Sequence, residues 1–190
     1  MSLEIHKYKN SLSEHISLFN MLSDLEDQFD LIAKEIYSTL KRGNKILIAG
    51  NGGSATDSQH FAAELVGRFE KKRLPLPAID LTSNCSSITS ISNDFDYEEV
   101  FSRQIQALGQ SSDIFLGIST SGNSRNILRA TEVSKQIQIK TLALVGNDGG
   151  ELLKNADLSL VIPSNRTARI QEAHIFIMHS LCEYIDNLFS

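Results

Sequence analysis

The sequence predicts one α/β domain built on an open, parallel, five-stranded sheet, and three observations carry that prediction. Five short apolar runs recur along the chain: Lys45 to Ala49, Pro77 to Leu81, Ile114 to Ile118, Thr141 to Val145 and Leu158 to Ile162. They alternate little between polar and apolar residues, as strands covered on both faces do. Segments of helical composition lie between them, the arrangement of right-handed crossovers in a doubly wound sheet. The length of 190 residues suits a single domain with a sizeable core.

Residues 1–42 come first and read differently. Leu18, Leu22, Leu25, Phe29, Ile32, Ile36 and Leu40 recur at spacings of three and four, which makes one amphipathic helical stripe. It stops at Lys41-Arg42-Gly43, where cations suit the negative helix end and glycine suits a C-terminal cap. Such a stripe either covers its own domain or packs against the same helix of another subunit, and in the second case residues 1–42 are an N-terminal helical oligomerisation segment within the 1–190 domain. A DNA-binding arm fits poorly, because five Lys and Arg in this segment are outnumbered by seven Asp and Glu. Beyond the first strand, Ala55 to Phe69, Glu98 to Leu108, Arg125 to Lys135 and Ala168 to Leu188 are the expected helices.

Composition excludes several classes of function. No apolar run approaches the ~20 residues of a membrane span. The N-terminal MSLEIHKYKNSLSEH has no apolar core of a secretory signal, so a cytoplasmic protein is expected. Cys85 and Cys182 have no metal-ligand spacing and read as reduced thiols. A net charge of −5 argues against nonspecific nucleic-acid binding.

Two loops point to chemistry. Asn51, Gly52, Gly53 and Ser54 follow the first strand and open a helix. In an open α/β sheet this is where ligands meet unpaired N–H groups, and Ser54 would cap the helix or donate to a ligand oxygen. GNGGSA matches only the looser dinucleotide pattern, and no GxxxxGK[ST] is present. After the third strand, Ser119-Thr120-Ser121-Gly122-Asn123-Ser124 offers four hydroxyls and a helix N-terminus, a donor set suited to a phosphate monoester.

His60 and Glu64, four apart, share one helical face, a pair that is usually structural but here lies about two turns from the glycine loop. On the last helix Gln171 and His179 are about 12 Å apart along the axis and could flank a site that His60 and Glu64 also face. His, Glu, Gln and His would suit a borderline divalent cation, zinc first. His174 lies on another part of that helix and reads as a polar or interface histidine.

The motifs GNGGSATDSQHFAAEL, SNDFDYEEVFSRQ, GISTSGNS, ALVGNDGGEL and TARIQEAHIFIMH together resemble the phosphoheptose isomerases of the sugar isomerase (SIS) domain superfamily. The resemblance implies a three-layer α/β/α sandwich assembled as a homotetramer with active sites between subunits. It places Asn51, Gly52, Gly53, Ser54, Asn93, Asp94 and Gln171 at the sugar and Ser119, Thr120, Ser121 and Ser124 at its phosphate. It assigns one Zn2+ per subunit to His60, Glu64, Gln171 and His179, with Glu64, which also touches substrate, and His179 as the acid/base pair. The implied reaction turns D-sedoheptulose 7-phosphate into D-glycero-D-manno-heptose 7-phosphate through an enediol, the first step toward ADP- or GDP-heptose for lipopolysaccharide and other bacterial surface glycans. Two groups able to trade protons are what moving a carbonyl from C2 to C1 requires. The tail also resembles a related non-catalytic SIS protein that binds the replication initiator DnaA; retention of Glu64 and His179 favours the enzyme. A sugar-phosphate sensor would need a helix-turn-helix domain that these residues do not contain.

Overall fold

The computed structural model describes residues 8–190. Two helices come first, α1 (Tyr8–Met21) and α2 (Glu26–Lys41), joined by a 3-10 turn at Leu22–Leu25. β1 (Ile46–Gly50), α3 (Gly53–Val66), β2 (Ala78–Asp80) and α4 (Cys85–Asp94) follow, then a 3-10 turn at Tyr97–Glu99 and α5 (Ser102–Leu108). The chain continues through β3 (Ile114–Ser119), α6 (Arg125–Gln136), β4 (Lys140–Gly146), α7 (Gly150–Asn155) and β5 (Leu158–Ile162) to α8 (Thr167–Phe189).

The five strands make one parallel sheet in the order β2-β1-β3-β4-β5. The pleat sends alternate side chains to opposite faces, so a continuous apolar strand feeds two cores. Ile46 and Ile48 of β1, with Ile114, Leu116 and Ile118 of β3, meet α1, α2, α3 and α8 on one face. Leu47 and Ala49, with Phe115, Ala143 and Val145, meet α5, α6 and α7 on the other. The three layers and the five strands are those expected. Because β2 lies on one side of β1 and β3 on the other, the winding reverses between β1 and β3, which opens a crevice at their carboxyl ends.

Three expectations need correction. The N-terminal stripe is two helices: Ser23 and Asp24 sit in the 3-10 turn, and the Ser23 hydroxyl bonds back to the Asn20 carbonyl, the kind of local competition that interrupts a helix. Its apolar residues Leu18, Leu22, Ile32, Ile36 and Leu40 are buried within this chain, and the part of the segment before Tyr8 lies outside the described residues. The segment Glu98–Leu108 divides into the Tyr97–Glu99 turn and α5, and α3 ends at Val66, which leaves Phe69 in the following loop. α4 and α7 are additional helices. α4 buries no residue fully and α7 is six residues long, so neither carries a strong periodic signal.

Candidate active site

The glycine turn and the hydroxyl loop stand side by side because β1 and β3 are paired, Gly50 opposite Ile118. Gly52 is the N-cap of α3, and Ser54, the helix's second residue, is buried; the capping role expected of Ser54 therefore falls to the backbone around Gly52. Gly53 has a different reason to lack a side chain. A Cβ there would run into the side-chain amide of Gln171, so the glycine is what lets α8 approach the first turn of α3.

Asn51 is held in a reciprocal amide pair with Asn126 of α6, Nδ2 to Oδ1 in each direction at 2.9 Å. The Tyr97 hydroxyl adds a third bond to Asn51 Oδ1 at 3.1 Å. Asn51, Tyr97, Ser124, Arg125 and Asn126 line one cleft together with Asp96 and Glu98. Asn126 and Tyr97 are absent from the expected site residues, although Tyr97 lies inside the NDFDY motif and Asn126 directly follows the hydroxyl loop. Asn93 and Asp94, by contrast, end α4 exposed and bonded to each other at 2.8 Å; they do not line that cleft.

The hydroxyl loop runs from buried Ser119 through half-buried Thr120 to exposed Ser121 and half-buried Ser124. Ser124 is the N-cap of α6 but makes no side-chain cap; its hydroxyl pairs with that of Ser119 at 3.0 Å. The first two N–H groups of α6, those of Arg125 and Asn126, thus have no side-chain cap, as an anion site requires. Ser121 accepts from the Asn123 N–H at 3.1 Å, and the Thr120 carbonyl is held by Asn147 Nδ2 at 2.9 Å. Gly122 has φ +66° and faces the Gly149 carbonyl so closely that any Cβ would collide with it. The Leu152 N–H bonds to the Gly122 carbonyl and the Glu151 N–H to Asn123 Oδ1, which braces the loop on α7.

α3 and α8 bring the second group of residues together. His60 Nε2 lies 3.1 Å from Glu64 Oε1 and 3.4 Å from His179 Nε2. Phe69 stacks on the His179 ring, with centroids 5.4 Å apart and planes at 27°. Gln171 sits at the other end of this helix pair, against Gly53, and among the described residues no hydrogen bond joins it to the trio. The donors fit zinc in kind, two imidazoles and a carboxylate, and the N···N separation is close to the roughly 3.4 Å edge of a tetrahedron with metal bonds of about 2.0–2.1 Å. Among the described residues, however, no three His, Cys, Asp or Glu are closed into a ready metal cage.

Two further acid/base groups lie on these helices, His174, expected at a surface, and Asp57, outside the expected site. His174 is fully buried rather than at a surface: its Nε2 faces the Val145 carbonyl at 3.3 Å and its Nδ1 has no partner. Burial, opposed by that backbone bond, lowers its pKa to about 4, so the ring is neutral. Asp57, three residues before His60, has a buried Oδ2 without a partner. Burial pushes its carboxyl up to about 6 despite the opposing pull of His60. Its spacing of three and seven from His60 and Glu64 puts it on their side of α3, a signal that the sequence does contain.

Known proteins resemble this chain along nearly all of its length. The SIS domain family matches residues 7–146. The phosphoheptose isomerase of Campylobacter concisus is 47% identical over 186 residues, which is 98% of this chain and 95% of that one. The structure of phosphoheptose isomerase from Francisella tularensis superposes with a TM-score of 0.93 at 37% identity, covering 98% of this chain and 100% of that chain. That from Neisseria gonorrhoeae gives 0.90 at 39% identity, covering 94% and 96%. These relatives agree with the isomerase expectation and not with the initiator-binding alternative.

Proposed function

Because the chain belongs to the phosphoheptose isomerases of the SIS-domain family, we propose that it interconverts D-sedoheptulose 7-phosphate and D-glycero-D-manno-heptose 7-phosphate. The observation that supports the chemistry is the meeting of Glu64 and His179 at His60, across two helices, one of which the glycine loop opens.

Ser119, Thr120, Ser121 and Ser124 hold the phosphate with the N-terminus of α6, which needs no lysine because the donors are hydroxyls and backbone N–H groups. Asn51, Gly52, Gly53, Asn93, Asp94 and Gln171 take the sugar hydroxyls. Glu64 removes the proton from one of C1 and C2, and His179 delivers a proton to the other side of the enediol. His60, Glu64 and His179 would hold one zinc ion, which when bound would supply Lewis-acid polarisation of the sugar oxygens; Gln171, at the other end of the helix pair, is the fourth ligand that the family resemblance implies. The product serves bacterial heptose synthesis in the cytoplasm. Among the described residues no helix is long and apolar enough to cross a membrane.

A homotetramer belongs to the same proposal. Tyr8, Leu12 and Ile16 lie at four-residue intervals on α1 and are exposed, and Phe176 of α8 is exposed as well, an apolar surface that partner subunits would cover.

Proton NMR of D-sedoheptulose 7-phosphate with the wild-type protein and with Glu64→Gln tests the reading. An aldose anomeric signal growing only with wild type is the expected result; folded, zinc-supplied wild-type protein that leaves the ketose unchanged would refute it. Metal analysis of protein purified without chelator tests the zinc assignment, with metal content expected to collapse in His60→Ala.

A further inference from the structure

The helix that carries Glu64 ends only two residues later, so the carbonyls after Ala63 have no helical partner, and the Leu76 N–H takes that of Leu65. Arg73 supplies another partner from outside the helix. Its Nη2 donates to the Glu64 carbonyl at 2.8 Å and its Nη1 to the Leu65 carbonyl at 2.8 Å and the Leu74 carbonyl at 3.1 Å. Nε donates to Asp186 Oδ1 at 2.7 Å. The other carboxylate oxygen of Asp186 accepts from the N–H groups of Glu70 and Lys71, both at 2.8 Å. Asp186 lies on α8 two turns after His179, on the same side of the helix.

The pair is almost wholly removed from water, with side-chain exposures of 0% and 2%. Burial alone would push the Asp186 carboxyl up, yet the bonds from Lys71 N–H, Arg73 and Glu70 N–H together hold it below the ordinary carboxylate value. A buried ion pair is a poor source of stability compared with apolar residues of the same volume. Its use here needs another reason, and the partners supply it. One guanidinium reads the backbone of Glu64 on one side and the helix of His179 on the other, while the loop it anchors places Phe69 against the His179 ring.

We propose that Arg73, Asp186 and Phe69 form a positioning latch that sets the separation of Glu64 from His179 and the tilt of the His179 ring. The inference rests on the reading of Glu64 and His179 as the acid/base pair. None of the three lines the cleft of Asn51, Tyr97 and Asn126. Lysine at position 73 would keep the charge facing Asp186 but lose the fork that reaches two carbonyls of α3.

The test compares Arg73→Lys, Phe69→Leu and Glu64→Gln in the full-length protein, well below each variant's unfolding midpoint. Misplacing a reacting group by a fraction of an ångström costs rate more than binding, so Arg73→Lys should lower kcat about tenfold or more with KM within about twofold. Phe69→Leu leaves the ion pair intact; it should lower kcat severalfold and move the His179 ring proton resonances downfield as the stacked ring is lost. If Arg73→Lys does not fold, Phe69→Leu decides alone. Wild-type kcat and an unmoved His179 resonance in the folded variants, with Glu64→Gln inactive, would overturn the latch. Full activity in Glu64→Gln would instead overturn the acid/base reading beneath it.

Discussion

The hydroxyl loop and the histidine cluster achieve their geometry by opposite means. Residues 119–124 are neighbours in sequence, and their shape is set by one positive-φ glycine, one helix start and bonds to the adjacent turn. His60 and His179 are 119 residues apart and meet only because α3 and α8 pack side by side. An anion site can be written into a short loop, because backbone N–H groups and hydroxyls are supplied locally. The meeting of His60, Glu64 and His179 needs tertiary packing, so its precision depends on residues outside the trio, such as Arg73 and Asp186.

Substitutions in the two regions should therefore separate rate from binding. The largest effect is expected from His179→Gln, which should lower kcat by about 10³-fold with KM little changed, within the range for loss of a general acid or base; steady-state kinetics check it. Next is the pH dependence of stability. His174 is neutral when folded down to about pH 4 but takes up a proton near 6.5 when unfolded. Its stabilising contribution is thus complete above pH 6.5 and lost as pH falls toward 4, about 3 kcal/mol in all. Urea midpoints measured across that range should flatten in His174→Gln.

Gly122→Ala should act on the other region. With a φ of +66° and the Gly149 carbonyl in the way, the loop must distort. A strain of about 1–3 kcal/mol should appear mainly as a raised KM, with metal content unchanged. A kcat defect equal to that of His179→Gln would break the division between the regions. The smallest effect is expected from Ser124→Ala. It removes one hydroxyl that bonds Ser119 and should raise KM severalfold, about 1 kcal/mol, as titration with inorganic phosphate would also register.

The same contrast explains what the sequence disclosed. The three central strands were legible because apolar runs betray strands buried on both faces, and the hydroxyl loop because its residues are contiguous. The His60 and Glu64 pair was visible as a spacing, but its meeting with His179 is a fact of packing that no local pattern encodes. The amide pair of Asn51 with Asn126 was hidden for the same reason, since each looks alone like an ordinary turn residue. His174 was misread because polarity normally signals exposure; one backbone carbonyl is enough to keep it inside. The N-terminal break was missed because an apolar stripe can continue across a 3-10 turn, as Leu22 does.

The helices α1, α2 and α8 cover the same face of the sheet: α2 packs on β5 and α8, and Arg169 of α8 is bonded to the Ser11 carbonyl of α1. During synthesis the apolar side of α2 is therefore made long before the surface that will receive it. At about 5–20 residues per second the wait is roughly ten seconds, during which Ile32, Ile36 and Leu40 have no native partner on α8. A ribosome stalled before α8 has emerged would hold a chain whose α2 still lacks one of the helices that cover it, a natural client for whatever guards nascent apolar helices.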